Sequence, residues 1–354
     1  MTCRSNQAIT FALAFFAMGS QQAFAQSSVT LYGSLDAGLL YTSRTAGGGA
    51  HQFSMVDSGT SASEFGIRGS EDLGGGLKAI FVLESGISTS NGGFSNSNGN
   101  FFGRKAWFGI KGDFGTVQAG LQYSPFVLSI INSDPRNVSF FGSGAVVYVG
   151  NVLGTGYLNP NAVTYTSPDL AGLQGSAMLA LGGTAGDFQA GRQYSARLKY
   201  DIHSLTIDAA FYSGNEGGTA AFTPLPTTIA FTGRTVGVGY ALGNLTIKAS
   251  FVNYKVAGSF DSRVFGGGLS YFVTPVFNLD AGAWYTSDGN NTVNHSVLTG
   301  AGIDYFMSKQ TTLYGQVAFV NNHGKMKTGL SVNGALYAGE GSTAGAVIGI
   351  RHTF

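Results

Sequence analysis

The side chains able to do chemistry in this chain are few and scattered. Its five histidines, His51, His203, His295, His323 and His352, are spread along the length. Most fall in turns, loops or strand ends, and none stands with a serine or carboxylate at a spacing that suits nucleophilic catalysis or a metal site. The stretch Asp72–Ala79 (DLGGGLKA) lacks the lysine-serine/threonine ending of a phosphate loop and reads as a tight turn. These patterns predict no catalytic residue, no metal centre and no cofactor. What remains is charge spaced along extended segments, the chemistry of a wall that meets ions and polar solutes.

The elements that would position such charges show in the alternation. In Leu245–Phe251 (LTIKASF), Leu245, Ile247, Ala249 and Phe251 share one face, and Thr246, Lys248 and Ser250 share the other. The same parity groups Asp208 with Thr206, and Arg197 with Lys199, each opposite apolar neighbours. Extended to Asp36, Glu64, Arg68, Lys78, Glu84, Lys105, Lys111, Asp280, Asp304 and Arg351, it predicts eight basic and six acidic positions on one polar face. A charge on the lipid side of a membrane wall costs roughly 2–4 kcal/mol, so a one-residue slip in this assignment is penalised.

Composition agrees. Only 10% of the 354 residues are charged, against about 25% in an ordinary soluble domain, while glycine reaches 55, phenylalanine 27 and tyrosine 16. Beyond the N-terminus no apolar run approaches the roughly 20 residues of a membrane helix. Apolarity spread over alternate positions is what a β-barrel between lipid and water requires. Met1–Ala25 has one charge (Arg4), an apolar stretch Ile9–Met18 and the small-x-small ending Ala23-Phe24-Ala25, which predicts a cleaved secretory leader. The only cysteine, Cys3, leaves with it, so residues 26–354 form a single domain without disulfides. Removing Arg4 leaves 18 basic and 18 acidic residues, and no basic run marks a nucleic-acid footprint.

Sixteen alternating segments are predicted, beginning near Val29–Tyr41 and Glu64–Gly69 and ending at Gly345–Phe354. Tight connections such as Gly243-Asn244 alternate with long polar ones such as Thr42–Ser63, Thr89–Asn100 and Asn322–Ala344, the pattern of periplasmic turns and external loops. The last segment, GAVIGIRHTF, ends on Phe354 in phase with His352, Ile350, Ile348 and Ala346. So apolar a terminal strand needs a partner on each side, which a closed barrel supplies.

Five ordered stretches carry a family likeness: VTLYGSLDAG (Val29–Gly38), FGIRGSEDLGGGLKAIFVLESG (Phe65–Gly86), GRKAWFGIKGDFGTVQAGLQY (Gly103–Tyr123), GIDYFMSKQTTLYGQVAFVNN (Gly302–Asn322) and IGIRHTF (Ile348–Phe354). On these the chain resembles the trimeric general porins of the Gram-negative outer membrane, in the betaproteobacterial, neisserial-type branch. The resemblance implies an all-β, sixteen-stranded antiparallel transmembrane barrel, a homotrimer set in outer-membrane lipid and lipopolysaccharide, and a long third loop folded into the lumen. Ser124–Asn161 is the loop expected there, because Phe126–Ile131 and Gly144–Leu153 are too apolar for free solution. Its charges, Asp134 and Arg136, become constriction candidates, and Phe354 the signal read by the barrel-insertion machinery.

The likeness has one gap. Relatives commonly carry Gly-Arg-Gln-Tyr where this chain has Gly120-Leu121-Gln122-Tyr123, which removes a basic residue associated with the pore. The expectation is passive diffusion of small hydrophilic solutes with a weak lean to anions. A substrate-selective channel is the alternative, and a plugged structural or adhesive barrel a more distant one.

Overall fold

A strand in hydrocarbon must have every backbone N–H and C=O paired within the protein, and this chain meets that demand by closing a sheet on itself. The computed structural model describes residues 28–47, 49–215 and 228–354; the leader expected at Met1–Ala25 lies outside them. Ser28–Thr42 pairs antiparallel with Gly341–Thr353, Asp36 opposite Arg351 and Leu39 opposite Ile348. Its other edge pairs first with Glu64–Gly74 and then with Gln52–Asp57. The staves from Leu77–Gly86 to Thr311–His323 follow in chain order. The sheet counts seventeen strands because the second stave is split in two, so the barrel has sixteen.

Two stretches expected as loops are partly ordered. Thr42–Ser63 contains Gln52–Asp57, which extends the second stave upward. Asn322–Ala344 contains the hairpin Thr328–Ser331 with Ala335–Tyr337. In the other direction, the stave expected from Phe101 starts at Lys105. The residues before it turn to place Arg104 inside.

Alternation sets the faces. Ile247 is 44% exposed on the outside of Leu245–Val256, whereas Val252 and Tyr254, on the opposite parity, are wholly buried in the barrel. The C-terminus completes the seam: Phe354 and Gly33 exchange backbone hydrogen bonds of 3.1 and 3.0 Å. A Cβ on Gly33 would lie 2.5 Å from the Phe354 ring, so the glycine makes the aromatic's seat.

The split has a cause in one carboxylate. Ser58–Ser63 leaves the wall, and Asp36 gathers it by accepting hydrogen bonds from the backbone N–H groups of Gly59 (3.0 Å), Thr60 (2.8 Å) and Ser61 (3.0 Å). The Tyr314 hydroxyl donates to the same group at 2.6 Å. Asp36 is 0% exposed. The expectation that it lines the lumen is therefore corrected: its charge is consumed in fastening a loop, as an ionised acceptor of several N–H groups does strongly. Asp36→Ala leaves those donors and the phenol without an acceptor, a loss of about 3 kcal/mol. The temperature at which the folded barrel unfolds on a semi-native gel should fall in Asp36→Ala and less in Asp36→Asn. An unchanged transition would remove the anchoring role.

Candidate functional site

The interior is shaped by the segment that follows Tyr123. Ser124 caps helix α1 (Pro125–Ser133), its hydroxyl accepting from the Val127 N–H at 3.1 Å, with proline in the first turn. The helix lies against the inner faces of Gln193–Ile202, Leu205–Gly214, Phe231–Leu242 and Leu245–Val256. Glycines give it room. A Cβ on Gly237 would sit 1.8 Å from the Ser133 hydroxyl, and one on Gly233 2.6 Å from the Phe126 ring. The apolar residues that made this segment unsuited to water, among them Phe126, Val127, Ile130, Val146 and Val147, are buried with Tyr212, Tyr254 and Trp284. Helix α1 and the residues after it thus pack against the barrel wall.

Beyond α1 the chain is fastened by charge. The Asp134 carboxylate accepts from the backbone N–H groups of Arg136 (2.9 Å), Val138 (2.9 Å) and Gly144 (3.0 Å). Burial pushes this carboxyl's pKa up, and the same N–H groups together with the Arg136 guanidinium pull it back. Arg136 forms an ion pair with Asp280 and donates to the Phe141 and Gly142 carbonyls at 2.8 and 2.7 Å and to Gln316 at 2.6 Å. Asp134 and Arg136 are 2% and 4% exposed. Neither presents charge to the water at a constriction; both hold the loop to the wall, because every polar atom they carry there is already engaged.

Two other segments join this knot. The Phe140 N–H donates to the Thr60 carbonyl at 2.9 Å, and the Val332 N–H to the Phe140 carbonyl at 2.8 Å. Gly142 donates to Leu330, which is 1% exposed. The inward loop, the Ser58–Ser63 excursion and the external hairpin are therefore one packed unit.

The remaining wall charges divide into paired and unpaired. Glu84 accepts from Arg104 (3.0 Å), Lys105 (2.9 Å) and the Tyr32 hydroxyl (2.7 Å), while Glu64 meets Arg104 at 2.8 Å. Arg197 pairs with Asp208, which also accepts from Asn132 on α1, and Lys199 pairs with Asp201 at 2.6 Å. Lys248 donates to the Asp134 carbonyl at 3.1 Å, and Arg351 to the Ser34 hydroxyl at 3.2 Å. Among the described residues, Arg68, Lys78, Lys111, Lys248 and Arg351 form no ion pair. On the acidic side Asp304 has only Asn278, at 3.4 Å. Arg104 was not anticipated: a strand running from Phe101 gives it the parity opposite to Lys105, whereas the strand begins one residue after it. Leu121 pairs with Ala106, and the guanidinium near Tyr123 is that of Arg104.

Comparison with known proteins agrees with this architecture. The family described as Gram-negative porin matches residues 10–325. Outer membrane porin protein 32 of Delftia acidovorans is 29% identical over 95% of this chain and 96% of its own. The structure of the anion-selective porin from Comamonas acidovorans superposes with a TM-score of 0.81 at 26% identity, covering 93% of this chain and all of that one. The trimer form of OmpT from Vibrio cholerae shares the fold, with a TM-score of 0.69 at 16% identity over 93% of this chain and 99% of that one.

Arg136→Ala would strand Asp280, Gln316 and two carbonyls in a buried setting, at a cost of about 3–5 kcal/mol to loop docking. The variant should show larger, noisier single-channel steps in planar bilayers as the loop detaches. Steps of unchanged size and noise would mean that the loop is held elsewhere.

Proposed function

The chain belongs to the Gram-negative porin family of outer-membrane channels, and from that footing we propose that it passes small hydrophilic solutes and ions by diffusion, with a weak preference for anions. The observation that carries the preference is the imbalance left after pairing: Arg68, Lys78, Lys111, Lys248 and Arg351 keep charge without a carboxylate partner, against Asp304 alone among the inward acids named from sequence. The preference is weak because the Debye length is only about 10 Å at 0.1 M salt, and ions beyond it feel little of the wall. Fold and family are those of non-enzymatic channels, and we assign the chain no catalytic step, metal or cofactor of its own.

Met1–Ala25 is the leader that directs export in this reading, leaving residues 26–354 as the barrel. The assembly is a homotrimer. Its contact falls where the wall is most apolar to the outside: Val29, Leu31 and Leu39 on the first stave, Phe53 on the second and Ile348 on the last are each 61–78% exposed in the single chain. Lipid and lipopolysaccharide cover the rest of the outer face. Phe354, 47% exposed at the closing seam, is the residue offered to the barrel-insertion machinery.

Two measurements test this. Replacing Arg68 and Lys78 by glutamate should move the reversal potential in a salt gradient toward cations; both side chains are exposed, so the fold is kept. A cation preference in the unaltered protein would overturn the assignment. Deleting Phe354 should lower the yield of heat-modifiable trimer in cells, and an unchanged yield would reduce the residue to an interfacial anchor.

A further inference from the structure

The cavity of about 380 Å³ between helix α1 and the first five staves combines apolar surface with one unspent charge. Cross-strand register places Arg68 beside Val82, and Val82 beside Trp107, as three inward side chains in one row. Two residues along, Gly66 stands between Tyr32 and Glu84, and its missing Cβ lets the Tyr32 ring cross to its hydrogen bond with Glu84. The Arg68 guanidinium lies over that ring, 5.2 Å from its centroid. From α1, Leu128 is 37% exposed and lines the cavity opposite the wall.

The charges of this region cancel except at one point. Glu84 is held by Arg104, Lys105 and Tyr32, and Glu64 by Arg104, so neither carboxylate is free to repel an anion. Arg68 alone presents its planar donor fork to the cavity with no carboxylate partner. Beside it lie the Trp107 indole, Val82 and Leu128, with the Gln118 and Gln122 amides and the Glu84-paired Lys105 completing the lining.

We propose that this cavity is a subsite for small monoanions with a flat apolar body, of the aromatic carboxylate class. The carboxylate takes the Arg68 fork in a two-bond arrangement. The ring then lies over Val82 against the Trp107 face, with Leu128 across from it. Two strand spacings of about 4.8 Å separate the Arg68 and Trp107 backbones, a reach that suits one aromatic acid. The inference rests on the porin reading and adds a solute class to it.

The test uses the full trimer in planar bilayers, with benzoate and acetate as probes of the chloride current. Benzoate should lower or interrupt the current at concentrations roughly five- to tenfold below those acetate needs, the range expected for one aromatic contact. Arg68→Gln should remove the effect of both probes. Trp107→Leu should bring benzoate to the level of acetate, and Val82→Ser provides a second variant should Trp107→Leu fail to yield trimer. Equal effects of the two probes on the unaltered channel, or a benzoate advantage that survives in all three variants, would overturn the subsite while leaving a conducting porin. Absence of any current would overturn the porin reading itself, and the subsite with it.

Discussion

Pairing of the backbone across the seam between Ser28–Thr42 and Gly341–Thr353 is the constraint on which the rest of the structure depends. An open edge in hydrocarbon would leave a row of unpaired amides, each costing several kcal/mol, so the first and last staves must meet. Closure at sixteen staves makes a lumen too wide for side chains alone to fill. The inward loop follows from that width. Its apolar residues need cover, and the inner wall supplies it through glycine at Gly233 and Gly237 and aromatic surface at Tyr212 and Tyr254.

Most of the barrel was legible in the sequence because its signal has a period of two and its penalty for error is high. The sixteen staves follow the alternation, although the one expected from Phe101 begins at Lys105. The apolar residues of the third loop also marked it as unsuited to open water. What alternation does not encode is the fate of a charge once it is inside. Asp36, Asp134 and Arg136 read as lumen charges, yet their partners are backbone amides and carbonyls far along the chain, and such groups leave no mark on composition. The short strand Gln52–Asp57 was hidden by the polar residues around it. Arg104 was hidden because the strand expected from Phe101 put it on the parity opposite to Lys105.

The wall therefore carries two populations of charge with different tasks. Pairs such as Arg197 with Asp208 and Arg136 with Asp280 are partly or wholly desolvated and fix geometry. Their fields largely cancel at the distance of a passing ion. Unpaired groups, Arg68 foremost, remain in contact with water and set the potential that ion meets. A net count of basic and acidic residues mixes these populations, which is why a chain with balanced formal charge can still present a basic interior.

The hydrogen bonds that join Phe140 to both Thr60 and Val332 tie the hairpin Thr328–Tyr337 to the inner loop and to Ser58–Ser63. Connecting loops generally tolerate change better than the strands they join. Here the hairpin at Thr328–Tyr337 is not free to drift alone, since its Leu330 and Val332 are part of what holds the inner loop in place. A change in the hairpin is thus felt at the inner loop, through the few residues that hold both.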